Sequence, residues 1–202
     1  MSRKSNTDTR RAEIVNAMLA VIAANGYEKA TIQAIAKQAK LTSGLVHYHF
    51  QSKHEILIAL VKWLTDYVHA RYLQIAASAN TPEEYLRAYI DARLGLGKGA
   101  NPAAVAAWVV VGSEAIRLRE VRELYQEAVA FELNLIRKLL LDYFKACGKK
   151  PRQLPQLAAS LMAFNEGAFQ LASAAHSIMP QRYAADMAIQ LIERFVRAEP
   201  NY

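Results

Sequence analysis

Between residues 9 and 24 the chain reads TRRAEIVNAMLAVIAA, and large apolar side chains return at Ile14, Met18, Leu19 and Ile22. Spacings of three and four lay these on one face of a helix, and Gly26 follows where a left-handed turn would end it. A second apolar set, Ile32, Ile35, Ala36 and Ala39, predicts a short helix whose first turn is capped by the Thr31 hydroxyl. Thr42 stands in the same relation to a third short helix, SGLVHYHF. Ser52 caps a fourth, long one, KHEILIALVKWLTDYVHARYLQIAA, with Glu55 three residues on as a capping box. Two short capped helices joined by a turn of three or four residues form a helix-turn-helix, in which the second helix enters the major groove while the first lies across the backbone.

Asn80 to Pro82 break the fourth helix, and PEEYLRAYIDARLG predicts a fifth that runs into the loop GLGKGANP. Pro102 opens the next, AAVAAWVVVGSEAIR, whose nearly continuous apolar character predicts a buried central helix. Residues 119–146 read as one long helix with Leu124, Phe131, Leu135, Leu139 and Leu140 inward. Two more follow the basic joint GKKPRQLP, namely LPQLAASLMAFNEGAFQLASAA and QRYAADMAIQLIERFV, separated at Met179 and Pro180. Both are apolar on more than one side, which predicts that they bury a face against the same pair in a second subunit. Strand signals are nearly absent. The expected fold is all-α: an N-terminal three-helix helix-turn-helix bundle over residues 1–60, joined through the long fourth helix to a larger helical domain over residues 61–202.

Charge adds direction to this picture. The 202 residues carry a net charge of +7, and residues 1–65 hold nine Lys or Arg against four Asp or Glu, so most of the basic surplus is amino-terminal. Such a distribution suits a polyanionic partner. Cys147 is the single cysteine, which excludes an intrachain disulfide and fits a reducing compartment. The N-terminus has no signal-peptide character, and the stretch AAVAAWVVVG falls short of a membrane span, so a cytoplasmic protein without a membrane partner is expected.

The stretch TSGLVHYHFQSKHE, residues 42–55, concentrates three histidines, two other aromatic residues and a lysine. A metal site is disfavoured, because His47 and His49 are two apart on a helix and point in different directions, and no cysteine or carboxylate pair completes a ligand spacing. Phe50 reads as a core residue sealing the short helix. Tyr48 and Lys53 are candidates for phosphate contacts, and the start of the third helix, with Thr42, Ser43 and Gly44, is the candidate for base contact. No Arg, Asn or Gln occupies that helix, so recognition would draw on Leu45, His47, water and DNA shape. Thr31 at its helix N-terminus can serve both as a cap and toward a phosphate. The tail reads either as a solvated basic end or as a source of backbone or minor-groove contacts from Arg3, Lys4, Arg10 or Arg11.

In YEKATIQAIAKQAKLTSGLVHYHFQSKHEIL the chain resembles the TetR family of bacterial transcriptional regulators. Thr31, Ile35, Ala36, Ala39, Leu41, Thr42, Gly44, Tyr48, His49, Phe50, Lys53 and Leu57 stand in register with the family's "T…IA..AGVS.GT.Y.HF..K..L" pattern. The resemblance implies phosphate contacts at Thr31, Tyr48 and Lys53 and a recognition helix starting at Thr42 and Ser43. Leu45 stands where Thr is usual and His47 where Tyr is frequent. AAWVVVGSEAIRLREVRELYQEAV also resembles the C-terminal domain of the choline and betaine regulator branch. What the family implies is a homodimeric, ligand-responsive repressor on a palindromic site of double-stranded DNA, with its small-molecule effector held among helices four to eight.

Among those helices Tyr67, Arg71, Tyr89, Arg93, Trp108, Glu114, Phe164, Glu166 and His176 are large or polar groups in apolar surroundings. Tyr67, Tyr89, Arg93, Trp108 and Glu166 are the candidate ligand residues. Each has a plainer reading: Trp108 as core, Arg71 and Arg93 as solvated, His176 as a cap or interface group. Glu166 in an interface helix would demand a partner if buried. No catalytic residue, metal or cofactor is expected. The alternatives are an activator of the same fold, a helical adaptor that binds protein, or an all-helical enzyme, the last lacking a nucleophile with an adjacent base.

Overall fold

The computed structural model describes residues 6–95 and 99–201, and nine α-helices occupy most of them. They are α1 (Asn6–Asn25), α2 (Ile32–Ala39), α3 (Ser43–His49), α4 (Lys53–Ala76), α5 (Pro82–Leu94), α6 (Pro102–Arg117), α7 (Arg119–Ala146), α8 (Leu154–Ala174) and α9 (Tyr183–Ala198). The all-α expectation holds, with α1 beginning three residues earlier than the apolar pattern requires. Arg3 and Lys4 lie outside the described residues.

The caps form as the residue types dictate. Thr31 Oγ1 accepts from Ala34 N at 3.1 Å and Thr42 Oγ1 from Leu45 N at 3.2 Å. Gly26, at φ +80, ends α1. The turn from α2 to α3 is Lys40-Leu41-Thr42, and it is made by Lys40 in the left-handed conformation (φ 57, ψ 40), whose position lets Leu41 N reach Ala36 O at 2.9 Å. At α4 the capping box is only half formed: Glu55 N donates to Ser52 Oγ at 3.2 Å, but the Glu55 carboxylate takes Gln51 N at 2.8 Å. The full reciprocal box occurs instead at α5, between Thr81 and Glu84.

The chain packs as two compact units, residues 1–66 with 101–128, and residues 67–100 with 129–202. In the first, Ile14, Met18 and Ile22 of α1, Ile35 of α2, Val46 of α3, Phe50, and Ile56, Leu57 and Leu60 of α4 are all fully buried. α6 packs along α1 and buries Ala104, Ala107, Val111, Glu114 and Ala115. The expected burial of α6 all round is therefore corrected: Trp108, Val109 and Val110 are half-buried, and Ile116 is exposed.

In the second unit α5, α8 and α9 pack on one another. Its core takes Leu86, Tyr89 and Ile90 of α5, Ile136, Leu140 and Phe144 of α7, Leu161 and Phe169 of α8, and Ile192 and Val196 of α9. The inward face of α7 agrees with the expected one at Leu139 and Leu140, which are buried, with Leu124 and Leu135 half-buried, and departs from it at Phe131. Phe131 is 49% exposed, and Glu132, Ile136, Leu139, Leu140 and Tyr143 form the buried stripe. A carboxylate in that stripe hid its register from a purely apolar reading. On α8 and α9, Leu171, Met187 and Leu191 remain exposed, although α9 buries its other face through Ala185, Ala188 and Ile192.

Candidate nucleic-acid interface and effector site

α3 is seven residues long and buries Val46, with Ser43, Leu45 and His49 half-buried, so one face of it, carrying Gly44, His47 and Tyr48, is open. Thr31, Thr42, Gly44, His47 and Tyr48 are exposed, with Tyr48 80% accessible, while Ser43 and Lys53 are half-buried. The two cap hydroxyls accept from the backbone, and each keeps its own proton to donate outward. Tyr48 stands edge-on to the His49 ring at 5.0 Å, which limits its rotamers without hiding its hydroxyl.

Behind this surface, Arg11 has a role that the sequence reading did not assign. Its guanidinium donates to the His49 carbonyl and, at 3.2 Å, to Glu55, and it lies 3.9 Å over the Phe50 ring. A cation at a helix C-terminus satisfies an otherwise unpaired carbonyl and complements the helix dipole. Arg11 thus ties the end of α3 to α1 and α4. Arg10 pairs with Glu13 at 2.7 Å. The same Gln51 amide that binds Glu55 is the main reason its carboxyl lies below the ordinary value, with Arg11 adding to it.

Lys53 is also turned inward. Its ammonium donates to the Tyr27 carbonyl at 2.6 Å and sits 3.7 Å over the Tyr27 ring. Burial lowers its pKa, opposed by the charges of Glu114, Glu28 and Glu120. An ammonium has three protons, so the bond to Tyr27 leaves donors for a phosphate. Arg117 lies 3.0 Å from Glu114 and 3.7 Å from Glu28, and Arg122 closes the end of α6 by donating to the carbonyls of Ala115 (2.9 Å) and Ile116 (2.6 Å).

The ligand candidates separate. Trp108 belongs to the first unit, its ring 5.0 Å from that of Tyr125. In the second, the Tyr67 hydroxyl donates to the Gly99 carbonyl, and Glu166 is half-buried on α8. Tyr89 and Arg93 meet at Glu132. Tyr89 is 1% exposed and its hydroxyl donates to Glu132 Oε1 at 2.6 Å; Arg93 Nε lies 3.1 Å from the same oxygen. Asn165 Nδ2 donates to the Tyr89 oxygen at 3.2 Å, the Arg93 guanidinium stands 5.0 Å over the Phe169 ring, and the Tyr72 ring lies 6.2 Å from that of Tyr89. Burial, then the charge of Glu132, pushes the Tyr89 hydroxyl well above its ordinary value, so it is a donor and not a phenolate.

The solvated reading of the two arginines is corrected. Arg93 has 8% of its side chain exposed, because Glu132 draws it inward. Arg71 donates to the carbonyls of Ala92 (2.6 Å) and Gly95 (2.9 Å), closing the C-terminal end of α5. Glu132 and Asn165 escaped the sequence reading altogether. Their signal was positional: Glu132 is four residues before Ile136, and Asn165 is four after Leu161 and four before Phe169. A polar residue on an apolar stripe needs a buried partner.

Among the described residues no group of three His, Cys, Asp or Glu is placed to hold a metal ion, and no helix is long and apolar enough to cross a membrane. Residues 14–60 match bacterial regulatory proteins of the tetR family, and residues 82–200 match the C-terminal region described as BetI-type transcriptional repressor. The chain is 36% identical over 115 residues to the HTH-type transcriptional regulator BetI of Rhizobium meliloti (strain 1021), covering 57% of this chain and 56% of that protein. It is 26% identical over 194 residues to BetI of Yersinia pestis (strain Pestoides F), covering 95% and 93%. A transcriptional regulator from Saccharomonospora viridis, solved in complex with choline, has the same fold, with a TM-score of 0.76 and 21% identity over 95% of this chain and 97% of that one. With the helix-turn-helix and the helices beyond it both matched, over more than half of its length by the C-terminal region alone, the chain belongs to the TetR family of bacterial regulatory proteins.

Proposed function

We propose that this protein is a ligand-responsive transcriptional repressor of the BetI-type branch, binding a palindromic operator as a homodimer. The observation that carries the reading is the surface of α3, where Thr42, Gly44, His47 and Tyr48 are exposed together while Thr42 satisfies the helix N-terminus. In this reading Thr42, Ser43, Gly44 and His47 face base edges, and Thr31, Tyr48 and Lys53 take phosphates. Residues 1–60 form the DNA-binding domain and residues 61–202 the effector and dimerisation domain.

Dimerisation is assigned to α8 and α9, supported by the exposed Leu171, Met187 and Leu191 on helices that already bury another face. Two α3 helices about 34 Å apart would occupy successive major grooves. An effector that binds better to a different separation then weakens operator binding by linkage. Selection of bound sequences from random duplex DNA, with affinity measured at two salt concentrations, tests the reading. A two-fold symmetric site with steeply salt-dependent affinity is expected; weak binding without a motif overturns it.

A further inference from the structure

The buried cluster of the second unit contains more than a structural ion pair. Tyr89 has one proton, and it goes to Glu132, so Asn165 must offer its amide to the Tyr89 oxygen. This settles the orientation of the Asn165 side chain and leaves its Oδ1, in a residue 0% exposed, with no donor. Arg93 Nε is close to Glu132 but angled so that it makes no hydrogen bond. The cluster therefore holds one unmet acceptor and one unmet donor, both buried. Groups of this kind are uncommon in a folded chain and call for an explanation.

Charge decides what could satisfy them. Glu132 and Arg93 have 10% and 8% of their side chains exposed, and together they are neutral. A lone organic cation added here would leave two buried positive charges against one carboxylate; a lone carboxylate would leave the reverse. Either imbalance is strongly unfavourable away from water. A molecule that carries both charges replaces one ion pair by two.

We propose that this cluster is the effector site and that its ligand is a small zwitterion, an amino carboxylate. The ligand's ammonium group takes Glu132 and the aromatic face of Phe169 that Arg93 now covers, and its N–H reaches Asn165 Oδ1. Its carboxylate takes the released guanidinium of Arg93, for which a planar fork of donors is suited. Arg93 is thus an internal stand-in for the ligand's cation, and binding opens the pair. The inference rests on the effector-responsive reading and gives that effector a chemical class.

Calorimetric titration of the full chain provides the test. Alanine, proline and N,N-dimethylglycine serve as zwitterions, choline as a cation without a carboxylate, and 3,3-dimethylbutanoate as a carboxylate without a cation. At least one zwitterion should bind about tenfold or more tightly than both single-charge probes. Arg93→Gln should erase the advantage over choline, and Glu132→Gln the advantage over 3,3-dimethylbutanoate. A purely structural cluster would lose stability in both variants without any change in the order of the probes. The ranking on the unaltered protein stands even if a variant fails to fold. Choline or 3,3-dimethylbutanoate binding as tightly as every zwitterion overturns the inference, and so does the absence of zwitterion binding up to about 10 mM. A protein that selects a palindrome but no zwitterion sinks this inference alone; one that binds a zwitterion but selects no DNA sinks the regulator reading alone.

Discussion

The polar groups of α3 and those around Glu132 solve opposite problems. At Thr42 and Tyr48 polar atoms are exposed and their hydration is kept until a partner replaces it, so they add little strain to the fold. At Tyr89, Arg93, Glu132 and Asn165 water has been excluded and every unmade bond is a standing penalty. The first surface can be altered with small effects on stability and large effects on binding. The second cannot be altered without disturbing both.

Substitutions that break this contrast should rank accordingly. Glu132→Ala strips Arg93 of its counter-charge and Tyr89 of its acceptor, and should destabilise the chain by about 3–5 kcal/mol in urea unfolding. If the loss stays under about 1 kcal/mol, water reaches the pair and the burial argument fails. Arg11→Ala comes next, because it removes the bond to the His49 carbonyl and the contact with Phe50. With the arginine 38% exposed, about 1 kcal/mol is expected. Operator affinity, once an operator is selected, should fall by more than that stability loss predicts, since the end of α3 is no longer held.

Thr42→Ala sharpens the comparison from the other side. Loss of the cap should lower stability by about 1 kcal/mol, whereas Tyr48→Phe should leave the urea midpoint unchanged and weaken only DNA binding. A matching loss of stability in Tyr48→Phe would show that its hydroxyl is structural. Glu55 tests the join between surface and core through pH. Its folded pKa is depressed, chiefly by the Gln51 amide, so the stability it contributes is present above its ordinary value of 4.5 and disappears as pH falls through the lower folded value. Glu55→Gln should therefore flatten the acid limb of the stability profile and leave the alkaline side unchanged. A small effect of opposite sign is expected at Lys40, where a side chain occupies a left-handed turn: Lys40→Gly should stabilise by about 0.5 kcal/mol, the relief of strain slightly exceeding the added entropy of the unfolded chain.

Much of the DNA-binding half was legible because its signals are local. Thr31, Thr42 and Gly26 act within three or four residues of themselves, and each does what its type predicts. The capping box at Glu55 was misjudged by a single partner, since Ser52 and Gln51 both offer an amide within reach. In the second unit the same reasoning singles out Tyr89 and Arg93 but not Glu132 and Asn165, which meet Tyr89 from 43 and 76 residues away. The apolar pattern puts Phe131 inward, because neighbours on a helix compete for the core and transfer energy alone favours the aromatic over the adjacent Glu132.

The all-helical fold, the helix limits to within a few residues and the family are legible in the chain alone, because periodicity, caps and the helix-turn-helix pattern are properties of short stretches. Only tertiary structure decided that Arg11 holds the end of α3, that Arg71 closes α5, and that Arg93 is buried against Glu132. Those outcomes depend on which charges meet across distant helices, and the free energy of a charge is set by what surrounds it and not by its neighbours in the chain.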